Sequence, residues 1–275
     1  LTMSTFSVPT LADMTAQGQT PEVLFWVGCA GSFDDRAKRI TKAIARILHH
    51  CEVPFAVLGA EESCTGDPAK RAGNEFLFQM QAAQNIAVLN GYEVKRIVTG
   101  CPHCFNVLKN EYPELGGNYE VMHHTQFIRD LIDQGRLKVA DGNPFKGRRI
   151  TFHDPCYLGR GNGEYAAPRE VLSTLDAELV EMRRCKQNGL CCGAGGAQMF
   201  KEAEKGNREV NHERTDDVLD ANPQVVATGC PFCNTMMTDG VKNAERESSI
   251  DVKDIAELIA EAADLVPSST SQDTP

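Results

Sequence analysis

The sequence lacks any run approaching the ~20 apolar residues needed to cross a bilayer. Residues 1–22 lack the basic start and apolar stretch of a secretory signal. The expectation is a cytoplasmic chain that reaches the cytoplasmic face of a membrane only through partners. Positive charge is also scarce: 28 Lys and Arg stand against 38 Asp and Glu, a formal net charge of −10, with no basic run to form a patch. Such a chain repels a phosphate backbone, so nucleic acid is excluded as an expected partner. No catalytic triad and no dinucleotide fingerprint are recognisable. Gly193, Gly195 and Gly196 superficially suggest a nucleotide loop, but the spacing and the preceding segment do not fit one. Close backbone approach to a bound group explains them better. Leu1 stands where an initiator Met is expected, which fits either an alternative start codon or a piece of a longer polypeptide.

Cysteine is what the chain has. There are 11 in 275 residues, within an otherwise ordinary globular composition of 41% hydrophobic and 24% charged residues. In a reducing compartment thiols stay free, so metal binding or redox chemistry is expected rather than a disulfide framework. The cysteines also reveal a repeat. Cys29, Cys64, Cys101 and Cys104 have counterparts in Cys156, Cys192, Cys230 and Cys233, at offsets of 127, 128, 129 and 129. Local sequence repeats too, with Thr99-Gly100-Cys101-Pro102-His103-Cys104 against Thr228-Gly229-Cys230-Pro231-Phe232-Cys233.

Each half alternates strand and helix patterns. In the first, 23–28 and 56–59 read as strands, 35–50 and 71–90 as helices, and 95–100 as a strand delivering Cys101, with Pro102 suited to a first helical turn. Residues 119–124 read as a further strand ending in His123 and His124. In the second, 148–154 reads as a strand leading to Cys156, 197–220 as a long helix, and 224–229 as a strand delivering Cys230. The fold class is therefore α/β: two tandem homologous cysteine-rich modules with mainly parallel sheets, whose ligands gather at the carboxyl ends of strands. The turn-rich segment 140–148 is the expected linker. The expected organisation is a flexible or partner-binding segment 1–20, a first module 21–144, a second module 145–266 and a flexible tail 267–275.

Thiolates are soft anionic ligands, and a C-x-x-C turn brings two sulfurs to one site while nearby amides hydrogen-bond to sulfur. Two such turns at matched distances from upstream cysteines suggest one closed site per half. The second half offers five thiols, Cys156, Cys191, Cys192, Cys230 and Cys233, more than zinc or a regular cubane cluster needs. The first offers Cys29, Cys64, Cys101 and Cys104, because Ser63 stands where the extra cysteine would be.

At His153-Asp154-Pro155-Cys156, Cys191-Cys192-Gly193 and Gly229-Cys230-Pro231-Phe232-Cys233 the chain resembles the cysteine-rich, or CCG, domain family. That family includes a cluster-bearing component of heterodisulfide reductase and the iron-sulfur subunits of glycolate and lactate oxidation systems. The resemblance implies a noncubane 4Fe-4S cluster on Cys156, Cys191, Cys192, Cys230 and Cys233. The stretches Glu62 to Pro68 and Cys101 to Asn106 look similar to bacterial relatives of heterodisulfide reductase. Larger members fuse such a region behind ferredoxin-like and membrane segments, and some act between electron-transfer flavoprotein and a quinone. No ferredoxin-type cysteine run occurs here. For Cys29, Cys64, Cys101 and Cys104 the alternatives are a second 4Fe-4S cluster, with or without an oxygen or histidine ligand, a zinc ion, or an empty relic.

Four histidines are candidates for tuning a cluster or relaying protons: His103 inside the first C-x-x-C, His153 before a ligand, and the pair His123 and His124. For His103 the plain alternative is an exposed helix start, and for His123 and His124 a satisfied structural pair. Cys51 and Cys185 lack counterparts and read as ordinary thiols. Arg71 and Glu75 read as a weak surface pair on a helix. The expected function is an oxidoreductase subunit that relays electrons from a flavin- or ferredoxin-bearing partner to a quinone-linked or thiol acceptor. Direct disulfide reduction at the noncubane cluster and a zinc-stabilised assembly scaffold are the alternatives.

Overall fold

The computed structural model describes residues 6–202 and 205–266, so the tail 267–275 lies outside the described residues. The first module runs α1 (Leu11–Ala16), β1 (Val23–Trp26), α2 (Gly28–Phe33), α3 (Asp35–His50), β2 (Phe55–Ala56), α4 (Asp67–Arg71), α5 (Glu75–Gly91), β3 (Arg96–Thr99), α6 (Pro102–Asn106), β4 (Glu120–His123) and α7 (His124–Asp133). The second runs β5 (Arg149–Phe152), α8 (Ala166–Ser173), β6 (Glu178–Leu179), α9 (Val210–Ala221), β7 (Val225–Thr228), α10 (Pro231–Asn243), β8 (Asp251–Asp254) and α11 (Ile255–Ala262). The strand orders are β2-β1-β3-β4 and β6-β5-β7-β8, and every pairing is parallel. The two halves thus share one topology, as their cysteine offsets imply. Strands β1 and β3, and likewise β5 and β7, are neighbours from which the chain departs in opposite directions. That switch point opens a crevice at the carboxyl ends of the strands.

The modules are interlocked rather than strung together. Helix α11 of the second packs on α3 of the first, while α7 of the first packs on α8 of the second. A single core results, joining Phe25, Ile44, Ile47 and Val98 to Ile150, Phe152, Val225 and Ile259. Alternate residues Leu24, Trp26 and Ile97 face a separate core of the first module under α5, and Val226 faces one in the second. This period-2 division is why the strands read as continuous apolar runs: both faces are buried. The expected linker contributes too, since Phe145 is fully buried in the shared core and the Asn143 carboxamide accepts from its backbone N–H.

Local chemistry explains most element ends, including several that differ from expectation. Helix α3 starts where the Asp34 carboxylate accepts from Ala37 N at 2.7 Å. The expected helix 71–90 is broken in two, because Gly73 takes φ +86° and Asn74 caps a new helix by accepting from Leu77 N. The expected strand 56–59 starts one residue earlier and ends at Ala56, with a 3-10 turn over Gly59–Glu61. The strand expected over 119–124 ends at His123, which caps α7, so His124 opens that helix. The long helix expected over 197–220 shrinks to α9. Ala197 has φ +61°, and helix begins only after the Gly206–Asn207 break. Within the segment 1–20, α1 buries Leu11, whose N–H donates to Val57 O, a contact the absence of periodicity did not signal.

Candidate metal centre

Each C-x-x-C pair sits where a strand hands over to a helix. Thr99 and Thr228 end β3 and β7, and Pro102 and Pro231 open α6 and α10 at a helical position that needs no N–H. The upstream cysteines follow β1 and β5, so the sulfurs gather at the two switch points. Gly28 takes φ +77°, and a Cβ there would lie 3.3 Å from Cys104 Sγ, so the backbone must run bare beside the thiol.

The thiols form one connected array. Cys29 bonds Cys64, Cys101 bonds Cys104, and the Thr65 hydroxyl donates to Cys104 Sγ at 3.8 Å. In the second module Cys156 bonds Cys191, which bonds Cys192. The Cys192 and Cys233 sulfurs are 3.3 Å apart, and Cys233 bonds Cys230. Cys101 and Cys230 touch across the module boundary. The array comprises the four and the five cysteines of the two motifs, while Cys51 lies in the shared core and Cys185 is half-exposed outside it.

Backbone amides aim at these sulfurs. Gly193 N–H donates to Cys191 Sγ at 3.3 Å, and the amides of Ala30, Gly66 and Ala194 serve Cys29, Cys64 and Cys192. Thiol and amide hydrogen bonds hold Cys191 well below the ordinary cysteine range, and the Cys29 thiol brings Cys64 down to about 7. Their partners are pushed the other way, Cys192 to about 12 by its bond with Cys191. Thiolates formed in a buried, amide-lined pocket are what a soft metal or an iron-sulfur cluster requires. The donor set fits such a group.

Around the second set, His153 is buried with one ring nitrogen within 4.8 Å of the Cys192 and Cys233 sulfurs. Its Nδ1 accepts from Arg214 Nε at 3.1 Å, and burial, with Arg214 beside it, pushes it down to about 3. A neutral ring with an occupied Nδ1 carries its proton on Nε2. Arg214 itself is fully buried, paired to Asp217 at 2.9 Å and donating to Arg184 O. His103 also belongs here, although it comes from the first module. It is buried, not the exposed helix start considered above, with Nδ1 2.8 Å from Asp67 Oδ2 and its ring packed between Tyr157 and Phe232. Burial opposes its charge, but Asp67 and nearby thiolates outweigh that and hold it above the usual histidine value.

The first set differs. Ser63 Oγ donates to Asn85 Oδ1 at 2.9 Å, and Asn85 donates to Cys64 O and to Tyr112 Oη. Glu62 accepts from the amides of Val27 and Gly28 at 3.0 and 2.6 Å, and burial pushes it up to about 7. Both oxygens are engaged away from the sulfurs, leaving four thiols. Beside Cys29 a cleft of about 370 Å³ is lined by Ala30 and Phe33 of the first module and by Phe200 and Phe232 of the second.

Sequence reasoning missed Asp67, Asn85, Glu111 and Arg214. Arg71 does not pair with Glu75: it binds Asp67 at 3.0 Å and Glu111, while Glu75 accepts from Gln79. These partners are 4 and 40 residues away from Arg71, so helical spacing alone pointed to the wrong one. Only the i, i−4 relation to Asp67 was readable. His123 and His124 are fully buried where the modules meet, and His124 Nε2 lies 3.0 Å from Asp254 Oδ1.

Two parallel α/β modules that bring their cysteines to facing strand ends define a duplicated cysteine-cluster protein. The cysteine-rich domain model, CCG, matches residues 23–109 and 150–238, and the chain belongs to that family. It is 46% identical over 251 residues to the EtfAB:quinone oxidoreductase of Syntrophomonas wolfei, covering 89% of this chain and 35% of that protein. It is 45% identical to the probable iron-sulfur-binding oxidoreductase FadF of Bacillus subtilis, covering 93% and 36%. It is 34% identical to a subunit of the dihydromethanophenazine:CoB–CoM heterodisulfide reductase of Methanosarcina barkeri, covering 89% and 59%. The chain therefore spans from about a third to under two thirds of these relatives. Among solved structures, a Picrophilus torridus aspartate racemase aligns at 8% identity over 86% of this chain and 90% of that one, with a TM-score of 0.36. Among the described residues no helix is long and apolar enough to cross a membrane.

Proposed function

We propose that the chain is the iron-sulfur electron-relay part of a heterodisulfide-reductase-like oxidoreductase. Electrons enter from a flavin- or ferredoxin-bearing partner and leave to a quinone-linked or thiol acceptor. The observation that carries this reading is the unbroken sulfur array, which runs from Cys29 in the first module to Cys156 in the second through the Cys101–Cys230 contact. The names of the relatives support it, since they are oxidoreductases or a subunit of one.

Cys156, Cys191, Cys192, Cys230 and Cys233 hold a noncubane 4Fe-4S cluster. Cys29, Cys64, Cys101 and Cys104 hold a 4Fe-4S cluster or zinc, without Ser63 or Glu62 as ligands. When bound, the iron-sulfur groups supply one-electron chemistry. The chain's own residues set the surroundings: the amides of Gly193 and Ala194 donate to sulfur, His153 stays neutral next to the second site, and the apolar walls exclude water.

The test is anaerobic purification or reconstitution, followed by iron, acid-labile sulfide and zinc analysis and electron paramagnetic resonance. A reducible cluster in the second module is expected. Zinc in both halves with no visible cluster absorption would replace the relay with a scaffold. Disulfide turnover by the isolated chain with a reduced artificial donor would replace it with direct catalysis.

A further inference from the structure

The two sets of thiols meet at one point, the contact between Cys101 and Cys230, and a single side chain spans the backbone on both sides of it. His123 is fully buried at the end of β4. Its Nε2–H donates to the carbonyl of Gly229 in the other module at 3.0 Å, and the Gly100 backbone lies within bonding reach of the same ring. Gly100 and Gly229 are equivalent residues, each preceding the first cysteine of its pair. Nδ1 faces Thr125, accepting from Oγ1 at 2.7 Å and from the backbone N–H at 3.4 Å, which orients the ring and leaves its proton for Gly229. The neighbouring His124–Asp254 pair is likewise fully buried and crosses the same boundary. Asp254 stands where the second module repeats His123, as the cap of α11. It reaches His124 rather than Gly100, so only one of the two caps touches a cysteine-bearing strand end of the other module.

We propose that His123 is a positioning residue that sets the separation and electronic coupling of the two metal sites, by tying the Gly229–Cys230 strand end of the second module to the first. This rests on the reading that both modules hold metal. Electron transfer between two centres falls steeply with their distance. A hydrogen bond buried in low dielectric, with its donor fixed from behind by Thr125, is a stiff way to hold that distance.

The experiment uses the whole chain, loaded anaerobically, with His123→Gln, His123→Met and His123→Asn. Gln and Met reach about as far as the ring and both lose the helix cap, but only Gln keeps a donor for Gly229. Asn keeps a cap and falls short of Gly229. Metal and sulfide analysis establishes loading of both modules. Spin–spin splitting between the sites, read by electron paramagnetic resonance of the reduced protein, then reports their coupling. Where the first site holds zinc, cobalt(II) exchanged into it supplies the second spin.

The expected result is that Gln preserves the splitting, whereas Met and Asn weaken it several-fold at unchanged metal content. Equal splitting in the Gln and Met variants, whether kept or lost in both, would overturn the clamp, because the donor then has no effect. Should the Met variant fail to load, Gln against Asn gives the same comparison with the cap varied in the opposite sense. A parent chain with metal in one module only overturns the two-site reading, and the clamp with it.

Discussion

Asn85 and Arg214 occupy the same place in the two modules, on the helix that leads into the C-x-x-C strand and at the same distance ahead of β3 and β7. Both are fully buried, and each braces a cysteine site with polar bonds. Asn85 holds the Ser63 hydroxyl and the Cys64 carbonyl. Arg214 holds the His153 ring and the Arg184 carbonyl and is charge-paired to Asp217. The difference teaches that the missing cysteine of the first module is more than a lost ligand. Serine there is a satisfied member of a neutral network, while the second module keeps its fifth thiol beside a buried cation and a neutral imidazole. Duplication preserved the topology, and the bracing residue diverged with the site.

The largest effect expected from breaking this comparison is Cys192→Ser, which removes the second module's cluster and its resonance signal while leaving metal in the first. Cys64→Ser should do the reverse, and metal analysis of the two variants checks the pairing. Next comes Arg214→Met, which strands Asp217 as an uncompensated buried charge at a cost of about 3–5 kcal/mol. Asn85→Ala, by contrast, leaves neutral groups unsatisfied and costs about 1–3 kcal/mol. Urea denaturation of the two single variants measures that gap. Equal losses would mean that charge is not what separates the modules.

A pH series sharpens the same point. Burial opposes ionisation of Asp217, but hydrogen bonds from Arg184 and Arg214 win and hold its carboxyl below the usual range. Such a group stabilises the fold fully above its unfolded value, about 3.9, and that share disappears as pH falls through the lower folded value. Stability should therefore drop below about pH 4, and Asp217→Asn should flatten that acid limb relative to the parent. The smallest change expected is from Ser63→Cys. The side chain is directed at Asn85 and not at the other sulfurs, so the iron-to-protein ratio should stay at the parent's value. A second noncubane signal would erase the distinction drawn here.

Much of the site was legible because metal ligation leaves a signature in spacing. Four cysteines recurring at offsets of 127 to 129 revealed the duplication, and strand patterns ahead of Cys101 and Cys230 placed them at strand ends. Strand β3 was readable to within a residue of each end, since its buried faces leave an unbroken apolar run before Gly100. The helix over 197–220 misled because its first half carries apolar residues that serve the loop after Cys192, where Met199 packs against the second module's core. Partners such as Asp67 for His103 and Arg214 for His153 were invisible, being 36 and 61 residues apart on different elements.

The sequence by itself determined the thiol inventory, the repeat and the alternation of strand and helix, because each depends on residue type and local periodicity. Only the tertiary structure decided that the modules exchange their last helices, that Cys101 meets Cys230, and that His103 of one module lies over the site of the other. The physical reason is that these contacts come from burying the apolar faces of α7 and α11 against the opposite module, a long-range choice that no local pattern encodes.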